Sequence, residues 1–141
     1  MRKLFFVIPT IAAITLAGVF LSAKGAAKTE TKHIYLQTVL WVSKEAGPKP
    51  TVQKFGEAYG FSPSTITVTE GTRVDLTIRN LQAGGDDTHT FTLPAFGINK
   101  DIAPLGVAHI SFVANKTGVF PFHCNFHKPW MSGEVVVLPR H

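Results

Sequence analysis

The sequence predicts an all-β, Greek-key sandwich of seven or eight antiparallel strands. Three observations predict it: short runs in which apolar and polar residues alternate, turn residues between those runs, and no helical periodicity of useful length after residue 30. At 141 residues the chain has room for one domain of ordinary size. A composition of 45% hydrophobic and 16% charged residues is typical of a packed core.

An N-terminal targeting segment precedes the predicted domain. Met1-Arg2-Lys3 is followed by an uncharged run from Leu4 to Ala23, which is typical of an export signal or a membrane-anchor helix. The run is long enough to span a bilayer, and Ala23-Lys24-Gly25 is a poor cleavage site, so cleavage and retention are both open. We expect residues 1–27 to be a signal peptide or anchor. Residues 28–141 then form the domain, in the periplasm or another extracytoplasmic space, with the membrane a partner only through an uncleaved segment.

The charge of the domain is close to neutral once the targeting segment is set aside. The formal charge is +5, but Arg2, Lys3 and Lys24 lie in the first 27 residues and leave 11 basic against nine acidic residues. The remaining Lys and Arg are scattered singly, without the basic clusters typical of nucleic-acid interfaces. We therefore expect no nucleic-acid partner.

The first predicted strand lies in a β-branched and apolar run. This run extends from Ile34 to Val42. The sequence Gly47-Pro48-Lys49-Pro50 then interrupts it, because proline cannot continue a ladder and restricts the residue before it. We expect a loop from there to about Gly60.

Two strands with clean alternation follow. In the range 65–69 every second residue is Thr, with Ile66 and Val68 on the other face, and residues 73–79 repeat the pattern. Glu70-Gly71 supplies a turn between them. The pattern predicts a β-hairpin with one face in water.

The later strands place a histidine and the only cysteine on inward faces. After a Gly-rich acidic loop, His89 shares its strand face with Phe91 and Leu93, so it is expected to point toward the core. Beyond a turn at residues 115–118, Cys124 shares a face with the phenylalanines that precede it, and Val135 to Leu138 form the last strand.

Cys124 has two interpretations. A single cysteine cannot form an intrachain disulfide, and a buried cysteine is often a small hydrophobe. A lone thiol in an oxidising compartment is chemically vulnerable, however, and its neighbours are histidines and a methionine. This setting favours a metal thiolate.

A candidate metal site follows from the loop that begins at Cys124. The loop can bring Cys124, His127 and Met131 around one point, and His89 can supply a fourth ligand from an earlier strand. Two imidazoles, a thiolate and a distant thioether suit a single copper ion, because soft sulfur stabilises Cu(I) while imidazole tolerates both oxidation states. Structural zinc requires four strong nitrogen, oxygen or sulfur ligands, and a thioether is not one of them. We predict that all four side chains bind one copper ion.

These residues resemble the cupredoxins, the family of small blue-copper proteins that includes plastocyanin and amicyanin. The resemblance spans about residues 61–138 and is carried by Phe61-Ser62-Pro63, by His89-Thr90-Phe91, and by the range 122–135 with its Cys, His and Met. It implies a type 1 copper site that cycles between Cu(II) and Cu(I). It also implies a monomeric electron carrier, not an enzyme, between a redox-protein donor and acceptor.

The sequence departs from this family in two places. Three residues separate His127 from Met131, one fewer than in plastocyanin-like loops and one more than in amicyanin-like loops. Thr90 stands where many relatives have an Asn that bonds across to the ligand loop, and we expect Asn125 to take part of that task.

Two other functions are open. The stretch from Ala95 to Gly118 also looks like nitrosocyanin, a red-copper relative that has Glu where His89 stands, which implies a copper enzyme with an open coordination position. A periplasmic protein for copper trafficking or assembly is the second alternative.

Overall fold

The computed structural model describes residues 29–84 and 87–140. The predicted targeting segment, residues 1–27, lies outside the described residues. No helix within the described ranges combines the length and apolar character needed to cross a bilayer. The described elements, in chain order, are β1 (Thr31–Val42), α1 (Lys49–Phe55), β2 (Ala58–Ser62), β3 (Thr65–Thr69), β4 (Arg73–Arg79), β5 (His89–Leu93), a 3-10 turn (Pro94–Phe96), β6 (Ile98–Ile102), β7 (Val107–Val113), β8 (Gly118–His123) and β9 (Ser132–Leu138).

The strands form two sheets, which confirms the predicted β-sandwich. One sheet has the order β2-β1-β4-β7 and the other β3-β9-β8-β5-β6, so the described residues hold nine strands where seven or eight were predicted. Most neighbours are antiparallel, but β1 pairs with β4 and β3 with β9 in parallel. Each sheet therefore contains both parallel and antiparallel pairs. The parallel pairs join strands that are distant in sequence.

The predicted hairpin of β3 and β4 is wrong. Both strands turn their apolar residues inward as expected, but β3 pairs with β9 while β4 pairs with β1 and β7. The turn between them crosses from one sheet to the other. The Glu70 N–H donates to the Leu138 carbonyl of β9, and the Gly71 N–H donates to the Ala114 carbonyl just after β7. Gly71 has a φ of +82°, which glycine adopts readily.

The predicted loop before Gly60 contains a short helix and a strand. Helix α1 begins with Lys49-Pro50, and proline is tolerated there because the first helical N–H groups lack an intrahelical acceptor. The helix ends at Gly56, whose N–H donates to the Val52 carbonyl. Seven residues are too few to show helical periodicity, and β2 pairs with β1 directly afterwards.

The core between the sheets contains three phenylalanines in mutual contact. Phe61 of β2 packs edge-on to Phe91 of β5 and Phe122 of β8, with ring centroids 5.9 and 5.4 Å away, and all three are buried. Burial of each ring contributes about 1.5–3 kcal/mol. Since Phe91 follows His89 by two residues and Phe122 precedes Cys124 by two, this cluster supports the strand ends that carry these side chains.

Candidate metal centre

Three of the four predicted ligands meet at one point. His89 is the first residue of β5, Cys124 follows the end of β8, and His127 lies in the loop between β8 and β9. Their candidate ligand atoms all lie within 4.8 Å of one another. His89 and Cys124 are fully buried and His127 is half-buried. In the described part of the chain, this is the one cluster of His, Cys, Asp and Glu that could hold a metal ion.

The donor atoms of this cluster fit one ion that accepts both nitrogen and sulfur. His89 Nδ1 lies 3.1 Å from His127 Nδ1, and Cys124 Sγ lies 3.5 Å from the same His127 nitrogen. Each imidazole therefore turns Nδ1 toward the shared centre. A thiolate with two imidazoles is a donor set suited to copper.

Met131 is the fourth predicted ligand, and its backbone closes the loop. Its N–H donates to the His127 carbonyl at 2.9 Å, and its carbonyl accepts from the Cys124 N–H at 2.8 Å. The side chain is fully buried in the core. That Met131 binds the metal stays a prediction.

Thr90 joins β5 to the ligand loop. Its N–H donates to Cys124 Sγ at 3.3 Å, and its Oγ1 accepts from the Asn125 N–H at 2.7 Å. This N–H donor is directed at the sulfur and helps to hold it in position. Asn125 also takes part through its side chain, which donates to Asn99 of β6 at 3.2 Å.

Burial sets the electrostatics of the two histidines. It lowers the pKa of His89 to about 4, with a further decrease from His127 and a smaller opposing effect of Asp87. Burial also lowers the pKa of His127, against the effects of Asp87 and Glu57. Both imidazoles are therefore neutral at pH 7, and a neutral imidazole is the form that coordinates a metal.

Sequence reasoning missed Tyr59, which packs on both histidines. Its ring centroid lies 5.0 Å from that of His89 and 4.5 Å from that of His127. Its hydroxyl lies 2.8 Å from Asp87 Oδ1 and 3.0 Å from Glu57 Oε2. Burial, and then these carboxylates, raise the pKa of Tyr59. Tyr59 lies two residues before Phe61, a spacing that places both side chains on one face of a strand. This signal was available, but the prolines upstream indicated a loop.

Sequence reasoning also missed Gln82. Its Oε1 lies 3.0 Å from His89 Nε2, on the side of the ring away from the other donors. Gln82 lies in the loop between β4 and β5, where strand alternation makes no prediction. No sequence signal could have found it.

A family model and two curated relatives match this chain. The model of the cupredoxin-like domain family matches residues 11–137. Nitrous-oxide reductase of Cupriavidus necator is 36% identical over 78 residues, and that of Stutzerimonas stutzeri is 31% identical over 80 residues. These alignments cover 55% and 57% of this chain but span only 12% of the length of each reductase.

Solved structures show the same fold. Copper nitrite reductase from Nitrosomonas europaea superposes with a TM-score of 0.58 at 22% identity, over 79% of this chain and 42% of that chain. The metal-binding domain of the Cu(I)-exporting P-type ATPase CopA from Streptococcus pneumoniae gives a TM-score of 0.54 at 17% identity, over 80% of this chain and 91% of that chain. With a family model that matches most of the sequence and three metal donors that converge in the fold, the chain belongs to the cupredoxin-like family and its cofactor is copper.

Proposed function

We propose that the protein carries single electrons through a type 1 copper site that His89, Cys124 and His127 would form, with Met131 as a fourth, weaker ligand. The observation that carries this proposal is the convergence of one thiol and two imidazole Nδ1 atoms at a largely buried point. When bound, copper supplies the one-electron couple Cu(II)/Cu(I).

The surrounding residues favour electron transfer because they restrain the ligands. The loop hydrogen bonds of Met131, together with both contacts of Thr90, hold Cys124 in place. Tyr59 packs against the two imidazoles. Ligands restrained in this way change geometry little when the oxidation state changes, which keeps the barrier to electron transfer low.

The same restraint argues against a copper enzyme, the main alternative. An enzyme of the nitrosocyanin kind requires an open coordination position for its substrate. His89, Cys124 and Met131 are each fully buried, which leaves His127 as the partly exposed member of the set. An electron can cross this half-buried imidazole without substrate entering the site.

The proposal includes redox proteins as donor and acceptor, in an extracytoplasmic compartment, with the protein as a monomer. We place their approach at the His127 loop. Phe126, which precedes His127 in this loop, is 62% exposed and offers an apolar contact. Apolar contacts of this kind suit the small interfaces of transient redox encounters.

The test is the visible absorption and electron paramagnetic resonance spectrum of the copper-loaded protein. We expect an intense blue band and narrow copper hyperfine splitting, because a thiolate donates charge to Cu(II). Cys124→Ser should remove the band, whereas His109→Gln, which changes an exposed histidine, should retain it.

One spectroscopic outcome would contradict the proposal. A colourless or red wild-type protein with wide splitting would indicate a tetragonal site and favour the enzyme or the trafficking protein. Binding of small exogenous ligands to Cu(II) would then identify the enzyme, and copper transfer to an acceptor protein would identify the trafficking protein.

A further inference from the structure

Gln82 contacts the one metal-binding histidine that is fully buried. Its Oε1 lies 3.0 Å from Nε2 of His89, while Nδ1 of the same ring faces His127 Nδ1 at 3.1 Å. A neutral imidazole carries one proton, on either Nδ1 or Nε2. An acceptor at Nε2 therefore favours the tautomer in which Nδ1 is free to bind metal.

A buried network fixes the position of Gln82. Its Oε1 also contacts the hydroxyl of Thr38 in β1, and its backbone N–H donates to Asn80 Oδ1 at 3.0 Å. Thr38 is fully buried and Asn80 nearly so, with 1% exposure. Because buried polar groups are costly to leave unpaired, this network resists rearrangement.

The orientation of the network follows from its donors. The Asn80 amide nitrogen lies within hydrogen-bond distance of the carbonyls of Asp87, Ile102 and Ala103, which turns its Oδ1 toward Thr38. The Leu81 N–H donates to Thr38 Oγ1 at 3.0 Å, which leaves the Thr38 hydroxyl proton to bond an acceptor. Asn80 Oδ1, 3.0 Å from Thr38 Oγ1, and Gln82 Oε1 are the two acceptors that share this proton, and Gln82 Oε1 faces His89 as well.

We propose that Gln82 is a positioning residue that holds His89 with the proton on Nε2 and Nδ1 directed at copper. The inference deepens the proposed function, since it assumes that His89 binds the metal. It assigns a task to a loop residue that does not itself bind the ion. The chemical consequence is that a hydrogen bond from Nε2–H to Gln82 makes the imidazole a stronger donor, which stabilises Cu(II) relative to Cu(I).

The test compares Gln82→Leu, Gln82→Glu and the matched control Gln37→Leu. Leu removes the acceptor, whereas Glu keeps the shape and offers a stronger, charged acceptor. Gln37 lies next to Thr38 on β1 but is exposed on the outer face. Reduction potential is measured by redox titration, Cu(II) affinity by competition with a chelator, and the His89 tautomer by ¹⁵N NMR of the copper-free protein.

We expect the two Gln82 variants to shift the reduction potential in opposite directions. Gln82→Leu should raise it and weaken Cu(II) binding by about 10-fold, a typical cost of losing a residue that supports a metal ligand. Gln82→Glu should lower it, and Gln37→Leu should leave both quantities unchanged. Loosening of the structure alone would not give shifts of opposite sign, and the nearly isosteric Glu variant keeps the test decisive if the Leu variant folds poorly.

The NMR measurement separates this inference from the proposed function. We expect His89 in the copper-free wild type to carry its proton on Nε2, and in Gln82→Leu to populate both tautomers. Suppose that the wild type has the blue spectrum, but that the Gln82 variants match it in reduction potential and in His89 tautomer. This result would overturn the inference and leave the proposed function standing. A wild type with the expected tautomer but no thiolate–copper band would overturn the proposed function and leave the positioning of His89 supported.

Discussion

Thr90 is a single residue that links β5, which carries the candidate ligand His89, to the loop that carries the candidate ligands Cys124 and His127. Its N–H donates to Cys124 Sγ, and its hydroxyl oxygen accepts from the Asn125 N–H at 2.7 Å. The residue is buried, with 2% exposure. The backbone contact survives any substitution except proline, so the contribution of the hydroxyl can be measured separately.

We expect Thr90→Val to lower the free energy of unfolding of the copper-free protein by about 1 kcal/mol, the typical net worth of a hydrogen bond. Valine keeps the shape but removes the acceptor of the Asn125 N–H. Thr90→Ser keeps the oxygen and should lose clearly less. Urea denaturation measures both variants, and a Thr90→Val protein as stable as wild type would show that water replaces the hydroxyl.

Residue chemistry predicted the candidate donors that cluster in the structure, but not the side chains that support them. Cys124, His89 and His127 were predicted because thiol and imidazole are rare, reactive groups whose spacing carries information. Tyr59 and Gln82 are ordinary side chains. They reach His89 only through the pairing of β1 with β2 and β4 and through the path of the loop after β4, which the sequence does not specify.

Strand β4 shows what local pattern can and cannot predict for an element. Its alternation correctly predicted that Val74, Leu76 and Ile78 face the core. Alternation assigns faces because side chains reverse direction at each residue, but it contains no information on partners. The hairpin was therefore inferred from the turn at Glu70-Gly71 alone, and the turn instead crosses between the sheets.

The outer face of β4 carries a charged cluster that spans three strands. Asp75 Oδ1 accepts from the Ser111 hydroxyl of β7 at 2.7 Å, and Asp75 also pairs with Arg73 at 3.3 Å and with His33 of β1 at 3.8 Å. The Ser111 hydrogen bond, followed by the charges of Arg73 and His33, lowers the pKa of Asp75 below its ordinary value of 3.8.

We expect Ser111→Ala to raise the pKa of Asp75 toward its ordinary value, because the largest cause of the decrease is lost. A lowered folded-state pKa stabilises the fold above the unfolded-state value, and this contribution is lost as the pH falls through the folded-state value. The variant should therefore lose less stability than wild type on acidification below about pH 4. NMR titration of the Asp75 carboxyl measures the pKa, and Ser111→Thr is the control that keeps a hydroxyl. An unchanged pKa of Asp75 in Ser111→Ala would show that the Ser111 hydrogen bond does not lower it.

At the scale of the whole molecule, the two sheets have different roles at the candidate metal centre. The candidate ligands come from β5 and from the loop between β8 and β9, which are strands of the five-stranded sheet. Their supports Tyr59, Thr38 and Asn80 come from β2, from β1 and from the end of β4, in the four-stranded sheet. The geometry of the site therefore depends on how the sheets pack against each other.

Phe61 tests this dependence, because it lies in the four-stranded sheet and packs on Phe91 and Phe122 of the other sheet. We expect Phe61→Ala to lower the free energy of unfolding of the copper-free protein by about 3–5 kcal/mol, through lost burial and the cavity that remains. Phe126→Ala, which removes the same atoms from a ring that is 62% exposed, should change it by no more than about 0.5 kcal/mol. Urea denaturation measures the free energy of unfolding of both alanine variants, with Phe61→Leu as a milder variant if Phe61→Ala does not fold.

Equal losses of stability at Phe61 and Phe126 would mean that the phenylalanine cluster does not join the sheets. A large loss at Phe61 alone would show that the supports of the candidate copper ligands are held in place by the same packing that holds the sandwich together.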